Sequence, residues 1–582
     1  MIVTELYNGQ GLGNQLWCYI VTRVIALDKG YSFGIKSPEK FKGSSFLNLD
    51  FGNKVIGGIG PEGGPPRELP QDISYYYAEQ KTSHPIDGGD IRTYDPELLK
   101  TPDKTKIDGI MQDEQYIKHR KNEISKWLEI NAGIECFEYS NDDTCVINFR
   151  GGEYIHIKNV FLPKKYWKNA INYMLSINKN FKFIVVTDDV VTARKFFPNY
   201  KIVHTSIATD YSIIKNAHYL ILSNSSFAWF PAWLSETLKV CLAPKYWARH
   251  NINDGFWGCG YNVTSGWLYL DRAGKVFNYK NCIQEINKKT REHPELYRQQ
   301  KVQSNFLVLS NYYNDLSWVP HYSDNYIIYD QSEARIYPAL LNTKKVTRSP
   351  HLGHNIRDYC SYIVDNYDKL PPVIIFATGN IFPRHISKER FNYLVNNQYF
   401  TPLEQSSRYA ENWPWCTVSS DGGFLELNNN WYLADGSTHP TKYFHTYNDF
   451  LKFIFEEPVL PRYIRFAPGA NYIVARGQIV KYPKIFYKNL IQFVSHSKAS
   501  IPGESHIIER ALFTIWSSNF KLSERILKPI SINFVPAVRT PSSQLRRFAS
   551  SVVGIALHIN NIRQRAFAAL QYKLNYNDED YD

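Results

Sequence analysis

Apolar residues fall into two rhythms along the first half of the chain. Residues 2–6 are a short apolar run that reads as a buried strand. Residues 14–29 carry Leu16, Trp17, Ile20, Val21, Val24 and Ile25 at a helical period, and Gly30 follows as a stop. Residues 7–13 between them form a glycine-rich turn. Further apolar runs at 144–149, 181–187 and 219–222 each end in charged or turn residues. Strand and helix signals in alternation predict an α/β domain with a parallel sheet over 1–285. The stretch 51–110 is rich in Gly and Pro and is expected to be mostly loop.

The pattern then breaks and restarts. Residues 286–301 are polar and charged and read as a linker, partly helical. A new strand opens at 305–310, with strands at 326–329 and 373–377 and a helix at 358–367. A second α/β or α+β domain over 302–525 is the expectation. Residues 526–582 form a Pro- and Ser-containing linker and a terminal helix. In that helix Leu545, Phe548, Val552, Ile555, Ile559, Ile562 and Ala566 fall at alternating steps of three and four, a heptad seam flanked by Arg546, Arg547, Arg563 and Arg565. Burying each large side chain is worth about 1.5–3 kcal/mol, so the seam should be covered. Its own domain or a second copy is expected first, an anionic membrane surface second.

Composition narrows the class. The chain has 582 residues, 43% hydrophobic and 21% charged, which excludes a disordered or collagen-like protein and predicts several domains. No stretch approaches the roughly 18 apolar residues of a membrane-spanning helix. Met1 runs directly into Ile-Val-Thr-Glu-Leu, without the basic and apolar regions of a signal peptide, so a folded start and a cytoplasmic place are expected. The 67 basic and 55 acidic residues leave a net charge of +12, which suits an anionic small ligand or an anionic surface. No run of five Lys or Arg appears, and nucleic acid is not an expected partner. The 42 Tyr and 13 Trp suit sugar faces as well as cores. The eight Cys are far apart with no CxxC pair, which argues against a zinc ribbon and for reduced thiols.

Four segments carry chemistry. Gly9-Gln10-Gly11-Leu12-Gly13-Asn14-Gln15 lies between the first strand and helix, where glycines let backbone approach a ligand and a helix N-terminus offers N–H groups to a phosphate. It is neither GxGxxG nor a Walker A loop. Asn148-Phe149-Arg150-Gly151-Gly152-Glu153-Tyr154 leaves a strand end. There the Arg150 fork suits a pyrophosphate and Glu153 could accept a hydroxyl proton. Val186-Thr187-Asp188-Asp189 places paired acids at another strand end, where they could hold ribose hydroxyls or cap a helix. Ser223-Asn224-Ser225-Ser226-Phe227-Ala228-Trp229-Phe230 sets a polar cluster before an aromatic helix, an anion cradle whose Trp229 and Trp233 are expected in packing.

Together, in this order, the four segments resemble glycosyltransferase family 11, the α-1,2-fucosyltransferases, over about residues 1–260. Gly109-Ile110-Met111-Gln112 is similar to a fifth family segment. The resemblance implies a GT-B-like pair of Rossmann-type lobes and an inverting transfer of fucose from GDP-fucose to a glycan hydroxyl. It implies a donor site made of Gly11, Gly13, Asn14, Gln15, Asn148, Asp188, Ser223, Asn224, Ser225, Ser226 and Phe227. Arg150 is the expected catalytic cation and Glu153 the candidate base, and a metal is then not expected. Three positions depart from the family pattern: Asn148 stands for a His, Gly151 for a second Arg and Glu153 for an Asp. Two other expectations remain beside this one: another nucleotide sugar on the same scaffold, or a glycan-binding or assembly protein without turnover.

The second half has softer signals in Asn311–Trp318, Asn355–Tyr367, Phe382-Pro383-Arg384-His385, residues 469–474 and Glu509 before Trp516. It looks like an uncharacterised domain family of fungi and of viral or bacterial polysaccharide loci, and so resembles another sugar transferase or a partner for one. Asp324, Asp330 and Asp421 are possible single metal ligands, each as readily a turn residue.

Overall fold

A computed structural model describes residues 1–59, 66, 68–83, 90–257, 263–293, 301–302, 304–404, 416–418, 424–426, 441–444, 446–461, 463–464, 466–497, 501–531 and 533–534. The seam at 545–566, Asp421 and Cys259 lie outside the described residues. The chain is mixed α/β and divides into two compact units.

The first unit comprises Met1–Gln300 with two short stretches from further on, Asp315–His321 and Ala334–Leu341. Its described residues form two large sheets and a two-stranded antiparallel pair, Thr82–Ser83 with Asp90–Ile91. In the first, the order is Tyr337–Pro338, Tyr75–Ala78, Thr105–Asp108, Ile2–Glu5 and Phe33–Lys36, and every pairing is parallel. The Gly- and Pro-rich region 51–110, expected to be mostly loop, therefore supplies two strands of this sheet as well as the short antiparallel pair. Tyr76 fixes one of them: its buried hydroxyl donates to Asp315 and accepts from the Leu316 N–H. These partners lie some 240 positions away, beyond the reach of a local pattern.

The second sheet has seven strands, ordered Val276–Asn278, Leu268–Leu270, Val240–Pro244, Tyr219–Ile221, Thr144–Phe149, Lys182–Thr187 and Lys201–Val203. All pair in parallel except the hairpin of Leu268–Leu270 with Val276–Asn278. All six residues of Thr144–Phe149 are buried, as expected of a parallel strand covered on both faces. The helix Leu12–Asp28 packs on the helix Ser226–Leu234 through aromatic rings. Trp17 lies 4.5 Å from Trp229, which stacks on Trp233 at 5.1 Å. Both tryptophans of the second helix are core residues.

The second unit is built on a six-stranded sheet, ordered Val346–Arg348, Tyr326–Asp330, Phe306–Asn311, Val373–Thr378, Tyr472–Ala475 and Thr401–Pro402. The first four are parallel, and the last two join antiparallel. Its helices include His354–Asn366, which begins four residues before the helix read from the sequence, because Gly353 at φ +64° turns the chain into it. Of the described cysteines, Cys18, Cys136, Cys145, Cys241, Cys282 and Cys360 are free thiols. Among the described residues no helix is long and apolar enough to cross a membrane.

Candidate functional site

In the seven-stranded sheet Thr144–Phe149 comes first in the chain and lies inside the sheet. The next two strands extend it on one side and the four after them on the other. The winding direction thus reverses between Thr144–Phe149 and Tyr219–Ile221. Open α/β sheets leave a ligand crevice outside the carboxyl ends at such a point. Arg150 leaves one of these strands and Ser223–Ser226 leaves the other. Asn148 ties the two ends together: its backbone carbonyl accepts from the Ser223 N–H at 3.0 Å, and its side-chain Oδ1 accepts from Ser223 Oγ at 2.7 Å. The buried amide is a strut between strand ends.

Arg150 is the cation of this crevice. Its Nη1 donates to Asp188 at the neighbouring strand end, and its Nη2 donates to Glu153 Oε1 at 3.0 Å. The guanidinium lies over the Tyr154 ring, 5.2 Å from its centroid. The side chain is 26% exposed. Asp188 also accepts the Gly151 N–H at 2.9 Å. Asp189 caps the helix Val190–Phe196 by accepting the Thr192 N–H. Burial opposes the Asp189 charge, but N–H groups of Thr192, Gly152 and Val191 outweigh it and hold its pKa low. So the paired acids divide: Asp188 orients Arg150 and Asp189 starts a helix. A Cβ at Gly151 would lie 2.5 Å from the Asp189 Cβ, so this backbone leaves no room for a second arginine there.

The serine cluster begins the helix Ser226–Leu234, and no side chain caps that helix. Ser223, Asn224 and Ser225 are buried, while Ser226 and Phe227 are half-buried. Asn224 Nδ2 donates to the Val160 carbonyl at 2.8 Å, and its Oδ1 is buried without a partner. Gly13 sits against this helix start: a Cβ on it would fall 2.3 Å from the Ser226 carbonyl carbon. Gly13 is therefore required for the helix contact, and it lies inside the helix Leu12–Asp28, not in the turn before it. Gly11 is the N-cap of that helix and has open space beside it. Asn14 Oδ1 accepts from Gln112 at 2.7 Å, which brings the first motif and the Gly109–Gln112 segment together. Gln15 is fully buried, with Nε2 donating to the Lys40 carbonyl and Oε1 accepting the Lys42 N–H.

Two groups near the crevice escaped the sequence reading as a pair. His204 Nδ1 is 2.9 Å from Asp210 Oδ2, and the other Asp210 oxygen is buried without a partner. Burial raises the Asp210 pKa, His204 opposes the rise, and the charge of Asp188 adds to it. Their spacing of six residues, across a loop into the helix Ile207–Lys215, has no local signature.

In the second unit the polar residues at the strand ends face one another. Asp330 accepts from Asn311 Nδ2, Ser332 and Arg348. Asp358 accepts from Ser310, Gln331 and Ser349, and burial still pushes its pKa up to about 6. Asp324 pairs with Lys301 at the surface.

Residues 307–529 match a family model described as a protein of unknown function, DUF3431. The chain is 26% identical over 172 residues to the α-1,2-colitosyltransferase of Escherichia coli, which is 26% of this chain and 59% of that protein. It is 31% identical over 137 residues to the O-antigen biosynthesis glycosyltransferase WbnK of Escherichia coli, 21% of this chain and 44% of that protein. Its relatives are bacterial glycosyltransferases. The chain thus spans about half the length of these curated relatives. Among solved structures, the fucosyltransferase NodZ from Bradyrhizobium aligns at a TM-score of 0.25 and 12% identity, over 40% of this chain and 92% of that one.

Proposed function

We propose that the first unit is a GT-B-like glycosyltransferase that moves a 6-deoxyhexose, fucose from GDP-fucose, to a sugar hydroxyl with inversion. The five-stranded and seven-stranded sheets are its lobes. The observation that carries this reading is the meeting of Arg150, the uncapped start of Ser226–Leu234 and Gly13 at the strand ends where the sheet reverses. The names of the two Escherichia coli relatives support the glycosyl-transfer part of it.

In a single displacement the acceptor oxygen attacks the anomeric carbon as the bond to the diphosphate oxygen breaks. The acceptor proton passes to a base, for which Glu153 is the candidate. The departing diphosphate takes the negative charge, and Arg150 and the N–H groups of the helix start stabilise it. Arg150 exchanges Asp188 and Glu153 for phosphate oxygens as the donor enters, which frees Glu153 for the proton. Gly151 favours a second reading, another nucleotide sugar, because one cation fewer faces the phosphates.

Thermal shift separates the two. GDP at 100 times its dissociation constant should stabilise the unit by about 2.7 kcal/mol, with UDP giving less. No shift from any nucleotide or nucleotide sugar would count against a donor site here.

A further inference from the structure

The first unit holds a cavity of about 460 Å³ whose lining includes no residue of the Arg150 cluster. Small-ligand pockets run from roughly 300 to 1,000 Å³. One wall is the helix Tyr279–Glu292, which lines it with Tyr279, Ile283, Ile286, Asn287 and Thr290. These positions recur at three and four residues and share one helix face. The facing wall comes from Thr93, Tyr94 and Pro96 and from Asp113, Glu114, Gln115 and Lys118.

The cavity wall has unsatisfied polar capacity. Asp113 is buried; its Oδ1 accepts the Gln115 N–H at 2.8 Å, and its Oδ2 is buried with no hydrogen-bond partner. Such an oxygen costs free energy until a donor reaches it. Burial pushes the carboxyl up to about 7. Glu114 beside it is also raised by burial, against hydrogen bonds from Trp233 and Ser265. Tyr94 and Tyr279 line the same cavity as Asp113 and Glu114. Two rings, two carboxyls, the Asn287 amide and the Thr93 hydroxyl surround a small apolar floor of Val263, Ile283 and Ile286.

This set discriminates among ligands. Among the lining residues two carboxyls stand against one cation, Lys118, which disfavours an anion, so the cavity does not suit a diphosphate. An apolar ligand would leave Asp113 unpaired. A neutral molecule with several hydroxyl donors and a flat C–H face satisfies both the acids and the rings. We infer that this cavity is a saccharide-binding site for one neutral sugar unit of a glycan, separate from the Arg150 crevice. The inference does not rest on the donor assignment.

Saturation-transfer NMR on the full chain tests it, with methyl glycosides of glucose, galactose and N-acetylglucosamine as millimolar probes. Saturation should reach at least one glycoside. Tyr279→Ala should weaken that binding by about tenfold. Asn287→Ala, at an exposed helix position, should weaken it with no effect on folding. The GDP response should be the same in both variants and the wild type, which separates this site from the donor site. No transfer to any glycoside, unchanged transfer in both variants, or binding of methylammonium alone would overturn the inference.

Discussion

Arg150→Ala should lower sugar transfer by two to three orders of magnitude while the first unit stays folded. Removing a single preorganised donor from developing negative charge costs about 2.7–4 kcal/mol, a factor of roughly 10²–10³. The structural cost is far smaller. Glu153 is 72% exposed and Asp188 30%, so both carboxylates stay in contact with water when the guanidinium goes. Exposed pairs of this kind contribute about 0–1 kcal/mol. Asp188 also keeps the Gly151 N–H. Steady-state transfer measured beside the melting temperature checks both halves. A near-normal rate in a folded variant would remove Arg150 from the mechanism.

Gly13→Ala should destabilise the first unit, although helix propensity alone predicts a gain. Alanine in a helix interior is favoured over glycine by about 1 kcal/mol. Against this, the new Cβ would lie 2.3 Å from both the carbonyl carbon and oxygen of Ser226 and 2.6 Å from the Phe227 nitrogen. These are backbone atoms of a helix start, which cannot swing aside as a side chain could, so two helices must separate. Overpacking of a tight contact costs about 1–3 kcal/mol, occasionally more. The steric term should prevail, with an apparent melting temperature several degrees lower and weaker GDP binding as the Ser225–Ser226 segment shifts. An unchanged or higher melting temperature with normal GDP binding would show that the helices tolerate separation there.

The sequence made some of this legible for physical reasons. Thr144–Phe149 reads as a strand because both its faces are buried, which leaves a continuous apolar run. Its end then marks Arg150 as a strand-end cation without further information. The serine cluster is legible in the same way, because Tyr219–Ile221 is apolar and the polar residues begin as soon as it stops. Other roles depend on distant partners. Gly13 looks like a turn glycine until Ser226, more than two hundred residues away, is seen against it. Gln15 reads as part of a ligand loop, yet its amide clamps Lys40 and Lys42. Tyr75–Ala78 was hidden in a Gly- and Pro-rich stretch, since its partners are Thr105–Asp108 and Tyr337–Pro338. The cavity beside Asp113 had no signature, because it forms only where the helix Tyr279–Glu292 meets residues 93–96 and 113–118.

Release of nucleoside diphosphate tests the central claim most directly. The full chain is incubated with GDP-fucose and with a panel of other nucleotide sugars, with and without glycan acceptors, and the freed diphosphate is measured. The account predicts GDP release from GDP-fucose that rises with acceptor and falls at least a hundredfold in Arg150→Ala. No release from any nucleotide sugar, with a folded protein and any acceptor, would contradict it and leave a glycan-binding protein without turnover.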